Sequence, residues 1–280
     1  MKKLMLIVVL GLIVGLAGSA NAGLVREYLF DSQSATPATP EYAQTTPDTS
    51  GSGFHAQMKG PEGVVMDAIG GVVAHNGRTK LAEMVLDCVP YGGIQSTYAI
   101  DRNADTVAMW FKTDGDSTVD AWNGLFYGNG NAELQVGGND SAGAMGDGYI
   151  LSWSWNGSVP SSELKSPLAY DDGDWHHLVR TSSPYTGSTT GGTHLYMDGL
   201  LVAHKVSELG VGSNDRIAFG EATGTGWASY FNGQIDNARI YSHTLSATDV
   251  WDMYVSETIP EPATMLLLGL GSLALIRKKK

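Results

Sequence analysis

Three groups of residues in this 280-residue chain have types and spacings that could do chemistry. The first is Asp48-Thr49-Ser50-Gly51, a carboxylate set in a bendable turn. Ca2+ draws roughly six to eight oxygens from carboxylates and backbone carbonyls. Asp48 and Gly51 are therefore candidate ligands of a structural Ca2+, with Asp31 in reserve. The second group is the pair His176-His177. Adjacent residues of a strand point to opposite faces, so the two cannot readily share one metal. One is expected to pack inside and the other to hydrogen-bond at an edge. The third group is aromatic. Trp122 lies in Asp120-Ala121-Trp122-Asn123-Gly124, and Trp227 follows Gly224-Thr225-Gly226. Aromatic faces in such loops suit the stacking of sugar rings, so Trp122, Trp227 and Tyr185 are candidate ligand-binding residues. Trp153 and Trp155 share a face by the period of two, and form either core or a platform together.

Patterns needed for catalysis are missing. A retaining glycoside hydrolase needs two carboxylates about 5 Å apart. Glu133 has Gln135 as its next-but-one neighbour, and Glu83 and Asp87 lie too far apart on an extended strand. There is no Gly-x-Ser-x-Gly elbow and no His-Glu-x-x-His. No catalytic residue is expected.

The elements that must position these residues are strands. Leu24–Phe30, Met84–Val89, Thr106–Lys112, Leu125–Gly128, Ala132–Val136 and Tyr149–Trp155 carry the Val, aromatic and alternating patterns of strands. Asp172–Thr181, the hairpin His194–Ala203, Arg216–Gly220 and Phe231–Tyr241 continue the series. Asn129-Gly130 and Asp198-Gly199 are hairpin dipeptides. One short helix is expected from Ser246, with Ser246 as N-cap and Asp249 completing a capping box. Residues 31–53 read as a long Ser-, Thr-, Pro- and Gly-rich loop. Strands joined by tight turns, without a repeat, argue for a sandwich rather than a propeller or solenoid.

Charge narrows the partners. Residues 23–262 hold 11 positive and 29 negative side chains, a net of −18. Nucleic acid is excluded as a partner class, because phosphate contacts need clustered Lys and Arg. The single cysteine, Cys88, allows no internal disulfide and reads as a buried strand thiol.

The ends are basic. Lys2 and Lys3, an apolar run over Leu4–Ala17 and the small-residue site Ala20-Asn21-Ala22 describe a secretory signal peptide over 1–22, cleaved after Ala22. At the other end, Pro260-Glu261-Pro262 leads into an uncharged run over Met265–Ile276, closed by Arg277-Lys278-Lys279-Lys280. This reads as a stop-transfer tail with its basic cluster held in the cytoplasm. The apolar run from Ala263 is 14 residues, short of the ~20 that span a bilayer unaided. Residues 260–280 resemble the PEP-CTERM sorting signal of Gram-negative bacteria. The resemblance implies an exosortase-type membrane peptidase as processing partner. It also implies transient membrane anchoring through a C-terminal helix, and delivery to the cell surface or an exopolysaccharide matrix.

Four further segments, in order, resemble the laminin-G-like, concanavalin A-like jelly roll. They are Thr106-Val107-Ala108-Met109-Trp110-Phe111-Lys112, Gly173-Asp174-Trp175-His176-His177-Leu178-Val179, Leu195-Tyr196-Met197-Asp198-Gly199, and Phe231–Tyr241 with Leu245-Ser246 after it. Tyr28-Leu29-Phe30-Asp31 and Asp48-x-Ser50-Gly51 match the opening pattern, with Tyr28 in place of the usual Trp; residues 57–80 match it poorly. The implied fold is all-β, a two-sheet antiparallel jelly-roll sandwich over 23–256, followed by the sorting segment 257–280. The resemblance places Trp110 and Trp175 in core strands. It also adds Asp236 of the closing strand to Asp48 and Gly51 as a Ca2+ ligand; otherwise Asp236 caps a turn or pairs with Arg239. Relatives that hydrolyse β-glucans alternate two Glu and an Asp on one strand, a pattern absent here. The function expected is a non-catalytic module binding glycan or extracellular protein. The alternatives are a structural or adhesive matrix component and a diverged glycoside hydrolase.

Overall fold

The computed structural model describes residues 23–30, 45–59, 71–74, 84–87, 93–96, 105–113, 123–128, 132–137, 139–140, 143–144, 148–156, 159–183, 192–206, 217–222 and 229–258. The signal peptide, Asp31, Cys88, Trp122, Tyr185, Trp227 and the sorting segment from residue 259 lie outside the described residues.

Two antiparallel sheets make a sandwich, as expected. One sheet runs, edge to edge, through Leu200–Lys205, Gly192–Met197, His176–Ser183, Asp105–Thr113, Gly233–Tyr241, Met84–Asp87 and Gly71–Ala74. Leu24–Tyr28 also pairs with Gly233–Tyr241. The second sheet runs through Val159–Ala169, Tyr149–Asn156, Ala132–Val136, Asn123–Gly128, Ile217–Phe219, Gly93–Ser96, Ala56–Lys59 and Thr45–Thr46.

The period of two explains the layers. Val107, Met109 and Phe111 point inward and meet Phe126, Leu134 and Ile150 of the second sheet in the main core. Ala108 points outward and joins Val179, Tyr196 and Tyr241 in a second apolar cluster. That cluster is completed by helix α1 (Ala247–Thr258), through Val250 and Met253, and by Leu245. The centre of the Asp105–Thr113 strand is thus buried on both faces, which is why residues 107–111 are apolar without interruption rather than alternating.

α1 starts as its capping box dictates. The Asp249 amide donates to Ser246 Oγ (3.2 Å), and the Ser246 amide donates to Asp249 Oδ2 (2.9 Å). The helix runs further than the sequence suggests. It continues to Thr258, so the first two residues of the segment read as 257–280 belong to it. Among the described residues no helix is long and apolar enough to cross a membrane.

One long strand escapes the sequence pattern. Val159–Ala169 contains Pro160, Pro167, three serines, Glu163 and Lys165. It is an edge strand, the place in a sheet where proline is tolerated because one side needs no ladder bonds.

Candidate functional site

The Asp48 turn is built by its own carboxylate. Asp48 Oδ1 accepts the amides of Glu27 and Ser50, and Oδ2 accepts the amide of Phe54, each at 3.0 Å. The Asp48 amide donates to His55 Nδ1 at 3.0 Å. Gly51 takes φ +89° in open space at the tip, where a side chain would be strained rather than crowded. Burial pushes the Asp48 carboxyl up. The hydrogen bonds from Ser50, and from the amides of Glu27, Ser50 and Phe54, outweigh it and hold the group below the usual range. Beside the turn, the Arg26 guanidinium lies 3.5 Å over the Phe54 ring, and Tyr28 Oη donates to the Phe54 carbonyl at 2.8 Å.

From this turn a polar chain runs beneath α1. Glu27 Oε2 accepts Thr49 Oγ1 at 2.8 Å, and Glu27 Oε1 accepts Arg239 Nε at 2.8 Å. Arg239 Nη1 donates in turn to Glu257 of α1. Glu257 Oε2 also accepts Asn237 Nδ2 (3.0 Å) and Trp110 Nε1. Burial would lower the Arg239 pKa, but Glu257 and Glu27 more than offset it and hold the guanidinium charged. Tyr241, beside this network, is pushed up to about 12 by burial and by the two glutamates, against the pull of Arg239.

A bulge aims these side chains. Asp236 faces Trp110 and Arg239 faces Ala108, so two residues, Asn237 and Ala238, stand opposite Met109 alone. Asn237 sits at φ +46°, a left-handed conformation that asparagine tolerates better than most residues. Asp236 is fully buried, and its Oδ1 accepts the Asn237 amide at 2.8 Å. It lies within the strand Gly233–Tyr241, at its bulge.

The expected Ca2+ set therefore consists of an amide-bound Asp48, an exposed Gly51 and a buried Asp236. The path from Asp48 to Asp236 leads through Glu27, Arg239, Glu257 and Asn237. Among the described residues no group of three or more His, Cys, Asp or Glu side chains is gathered as a metal site.

The two adjacent histidines separate as the strand period requires. His177 is buried under α1, with its ring 5.0 Å from Trp110 and 6.0 Å from Tyr254. His176 lies at the loop edge, with Nδ1 2.9 Å from Asp198 Oδ2 and Nε2 3.1 Å from Asp172 Oδ1. Burial would lower its pKa, but the hydrogen bonds and charges of Asp198 and Asp172 raise it above the ordinary histidine value. Asp198 Oδ1 accepts the His177 amide at 2.9 Å, so this cluster ties the 170–175 loop to the Asp198-Gly199 hairpin. Both hairpin residues have positive φ, 50° and 78°, as the dipeptide predicts.

Sequence reading missed Glu27, Arg239 and Glu257 as one network, because their partners lie up to 212 positions apart. It also missed the cross-strand pair His194 and His204, whose rings lie 6.0 Å apart with planes at 17°. Burial, and then the neighbouring His204, hold His194 below the ordinary histidine value.

With this geometry in view, comparison with known proteins gives a consistent result. Residues 91–251 match the concanavalin A-like lectin/glucanases superfamily, and residues 258–280 match the PEP-CTERM protein-sorting motif. The chain belongs to that superfamily and carries a signal that sorts it to the cell surface or extracellular space. No curated protein matches it. Among solved structures it is similar to domain 4 of AbnA, a GH43 extracellular arabinanase from Geobacillus stearothermophilus, in complex with arabinotriose. The identity is 20%, the TM-score 0.54, and the match covers 82% of this chain and 98% of that one. It is also similar to the botulinum neurotoxin serotype C1 binding domain, at 13% identity and TM-score 0.54, covering 85% of this chain and 53% of that one. A third is the binding domain of botulinum neurotoxin DC in complex with rat synaptotagmin II, at 15% identity and TM-score 0.51, covering 85% and 52%. The chain thus spans about half the length of the neurotoxin binding domains. At these identities the likeness is one of fold.

Proposed function

We propose that this protein is an exported, non-catalytic binding module that holds carbohydrate or protein at the cell surface or in its matrix. The observation that carries the reading is how the acids are used. The carboxylates of Asp48, of Glu27 with Glu257, and of Asp172 with Asp198 are each committed to holding a turn, a helix or a hairpin in place. Rigid loops on a sandwich suit recognition, whereas retaining glycoside hydrolysis needs two opposed acids about 5 Å apart and open to substrate. Solved relatives of the fold include one holding arabinotriose and one holding synaptotagmin II, so both ligand classes suit the scaffold.

In this reading Trp122, Tyr185 and Trp227 supply stacking surfaces from the loops. A structural Ca2+ would draw its oxygens from Asp48 and Gly51 at the turn, since Asp236 lies at the far end of the Glu27–Arg239–Glu257–Asn237 chain. An exosortase-type peptidase processes the C-terminal segment, which anchors the chain in the membrane transiently.

The test is a glycan array and an exopolysaccharide pull-down with residues 23–258 as a soluble protein, run with Ca2+ and with EDTA. Saturable binding weakened by Trp122→Ala or Trp227→Ala supports a lectin-like module. Binding to an extracellular protein but to no glycan selects the protein-binding branch. Release of reducing ends from a bound polysaccharide would overturn the non-catalytic reading. A melting temperature unmoved by EDTA would remove Ca2+ from it.

A further inference from the structure

We infer that His194 and His204 form a two-ligand site for a divalent transition-metal ion that favours imidazole, with Cu2+ held more tightly than Zn2+. The site owes nothing to the ligand-binding reading above, nor to the Asp48 turn, whose oxygens would suit a hard cation instead.

The backbone fixes the pair. His194 and His204 stand directly opposite one another on the antiparallel strands Gly192–Met197 and Leu200–Lys205. Directly opposed residues have Cβ atoms about 4.5–5.5 Å apart on the same face of the sheet. The short Asp198-Gly199 turn joins the strands. Two bonds brace it, from the Asp198 amide to the His177 carbonyl (2.8 Å) and from the His177 amide to Asp198 Oδ1 (2.9 Å). Little backbone entropy therefore remains to be lost when both rings take up one ion.

The rings are already at chelating range. Imidazole nitrogens bind such ions at about 2.0–2.1 Å, which sets two ring centres on one metal about 5–6 Å apart. The observed separation is 6.0 Å, so small side-chain rotations suffice.

The surroundings favour an ion entering from solvent. His194, Thr181, Thr106 and Tyr241 form one row across the outer face, and His204 ends it at the sheet edge. The inner end of the row is covered, since the Leu245 amide donates to Thr106 Oγ1 (2.9 Å). His194 is half-buried, with Tyr196 as a side wall at 6.4 Å, and His204 is exposed. Water completes the coordination, and the acidic domain enriches cations around it. A bound ion would clip the edge strand Leu200–Lys205 to its neighbour.

The test is a Cu2+ titration of the full-length chain in detergent, carrying no polyhistidine tag, followed by calorimetry and by electron paramagnetic resonance. The expected result is saturable uptake of one ion with a two-nitrogen splitting. That signal is lost in His204→Gln and in His194→Gln, kept in His243→Gln, and displaced by excess Zn2+ but not by Ca2+. Because His204 is exposed, its variant folds and remains decisive if His194→Gln is destabilised. Unchanged Cu2+ binding in His204→Gln, or no saturable uptake by the parent chain, would overturn the proposal.

Discussion

Asp48 shows how one side chain can set a loop. Its two oxygens take three amides from two segments, Leu24–Tyr28 and the 48–54 turn. Replacing it with alanine removes a charged acceptor and leaves those amides to find water. Asp48→Ala is expected to cost about 2–3 kcal/mol, read as a lower urea midpoint at unchanged slope. Because the folded carboxyl titrates below its ordinary value, its contribution is present above that value and lost as pH falls through the folded pKa. His176 has the opposite sign. Its folded pKa lies above the ordinary value near 6.5, so its bridge to Asp172 and Asp198 stabilises fully below that pH and fades as pH rises through the folded pKa. The melting temperature should therefore fall between pH 6 and pH 9, and His176→Gln should flatten that fall. An equal slope in parent and variant would remove His176 as its source. Residues such as these were partly legible in the sequence. The Asp198-Gly199 hairpin and the Ser246–Asp249 box depend on contacts within a few positions, as does the Asp48 turn through Ser50 and Phe54, though that turn also takes the distant Glu27 amide; all three formed. The His194–His204 pair was not legible, because it depends on a bulge. The register shifts between Leu195 and Tyr196, so His204, rather than the neighbour that simple counting from the turn selects, comes to face His194.

At the scale of elements, α1 keeps part of the outer face of one sheet from water. The apolar part of that contact comes from Val250 and Met253 over Ala108, Val179, Tyr196 and Tyr241. The polar part comes from Glu257, which takes donors from Trp110, Asn237 and Arg239. Glu257→Ala leaves the Arg239 guanidinium buried with Glu27 as its remaining carboxylate among the described residues. Breaking such a pair costs about 3–5 kcal/mol. The last turn of α1 should also fray, exposing Trp110, which is 3% exposed in the parent. The measurement is a red shift of tryptophan emission together with the lower urea midpoint. A lower midpoint with unshifted emission would mean that the helix holds through its apolar side alone. The sequence foretold the start of α1 but not its reach, since Glu257 gains its role from partners on two other strands, Asp105–Thr113 and Gly233–Tyr241. Val159–Ala169 was hidden for a related reason. Its two prolines and its polar residues argue against a strand in isolation, and only its place at a sheet edge makes them acceptable.

At the scale of the molecule, charge and sorting act on the whole domain. The net of −18 over residues 23–262 repels itself, and added salt shortens the reach of that repulsion from about 30 Å at 0.01 M to about 8 Å at 0.15 M. The melting temperature should rise over that range in NaCl; a fall would show that attractive ion pairs such as Glu27–Arg239 outweigh the net repulsion.

Folding and sorting, in contrast, should come apart cleanly. The contacts described at the end of the domain reach Thr258, whose hydroxyl donates to the Tyr254 carbonyl at 2.9 Å. The sorting motif matches from that same residue to Lys280. The two functions therefore meet at the end of α1 with almost no linker. Removing residues 260–280 takes away the Pro-Glu-Pro triplet, the apolar run and the basic cluster, yet leaves Glu257 and its partners in place. The shortened protein should melt within about a degree of the processed parent, since sites that share no partners contribute independently. It should also be missing from the cell-surface fraction. The decisive pairing is surface proteolysis of intact cells with calorimetry of the purified domains. A shortened chain that still reaches the surface would mean that the motif does not direct sorting here. One that sorts poorly and also melts several degrees lower would mean that the tail packs on the domain and that sorting fails through misfolding.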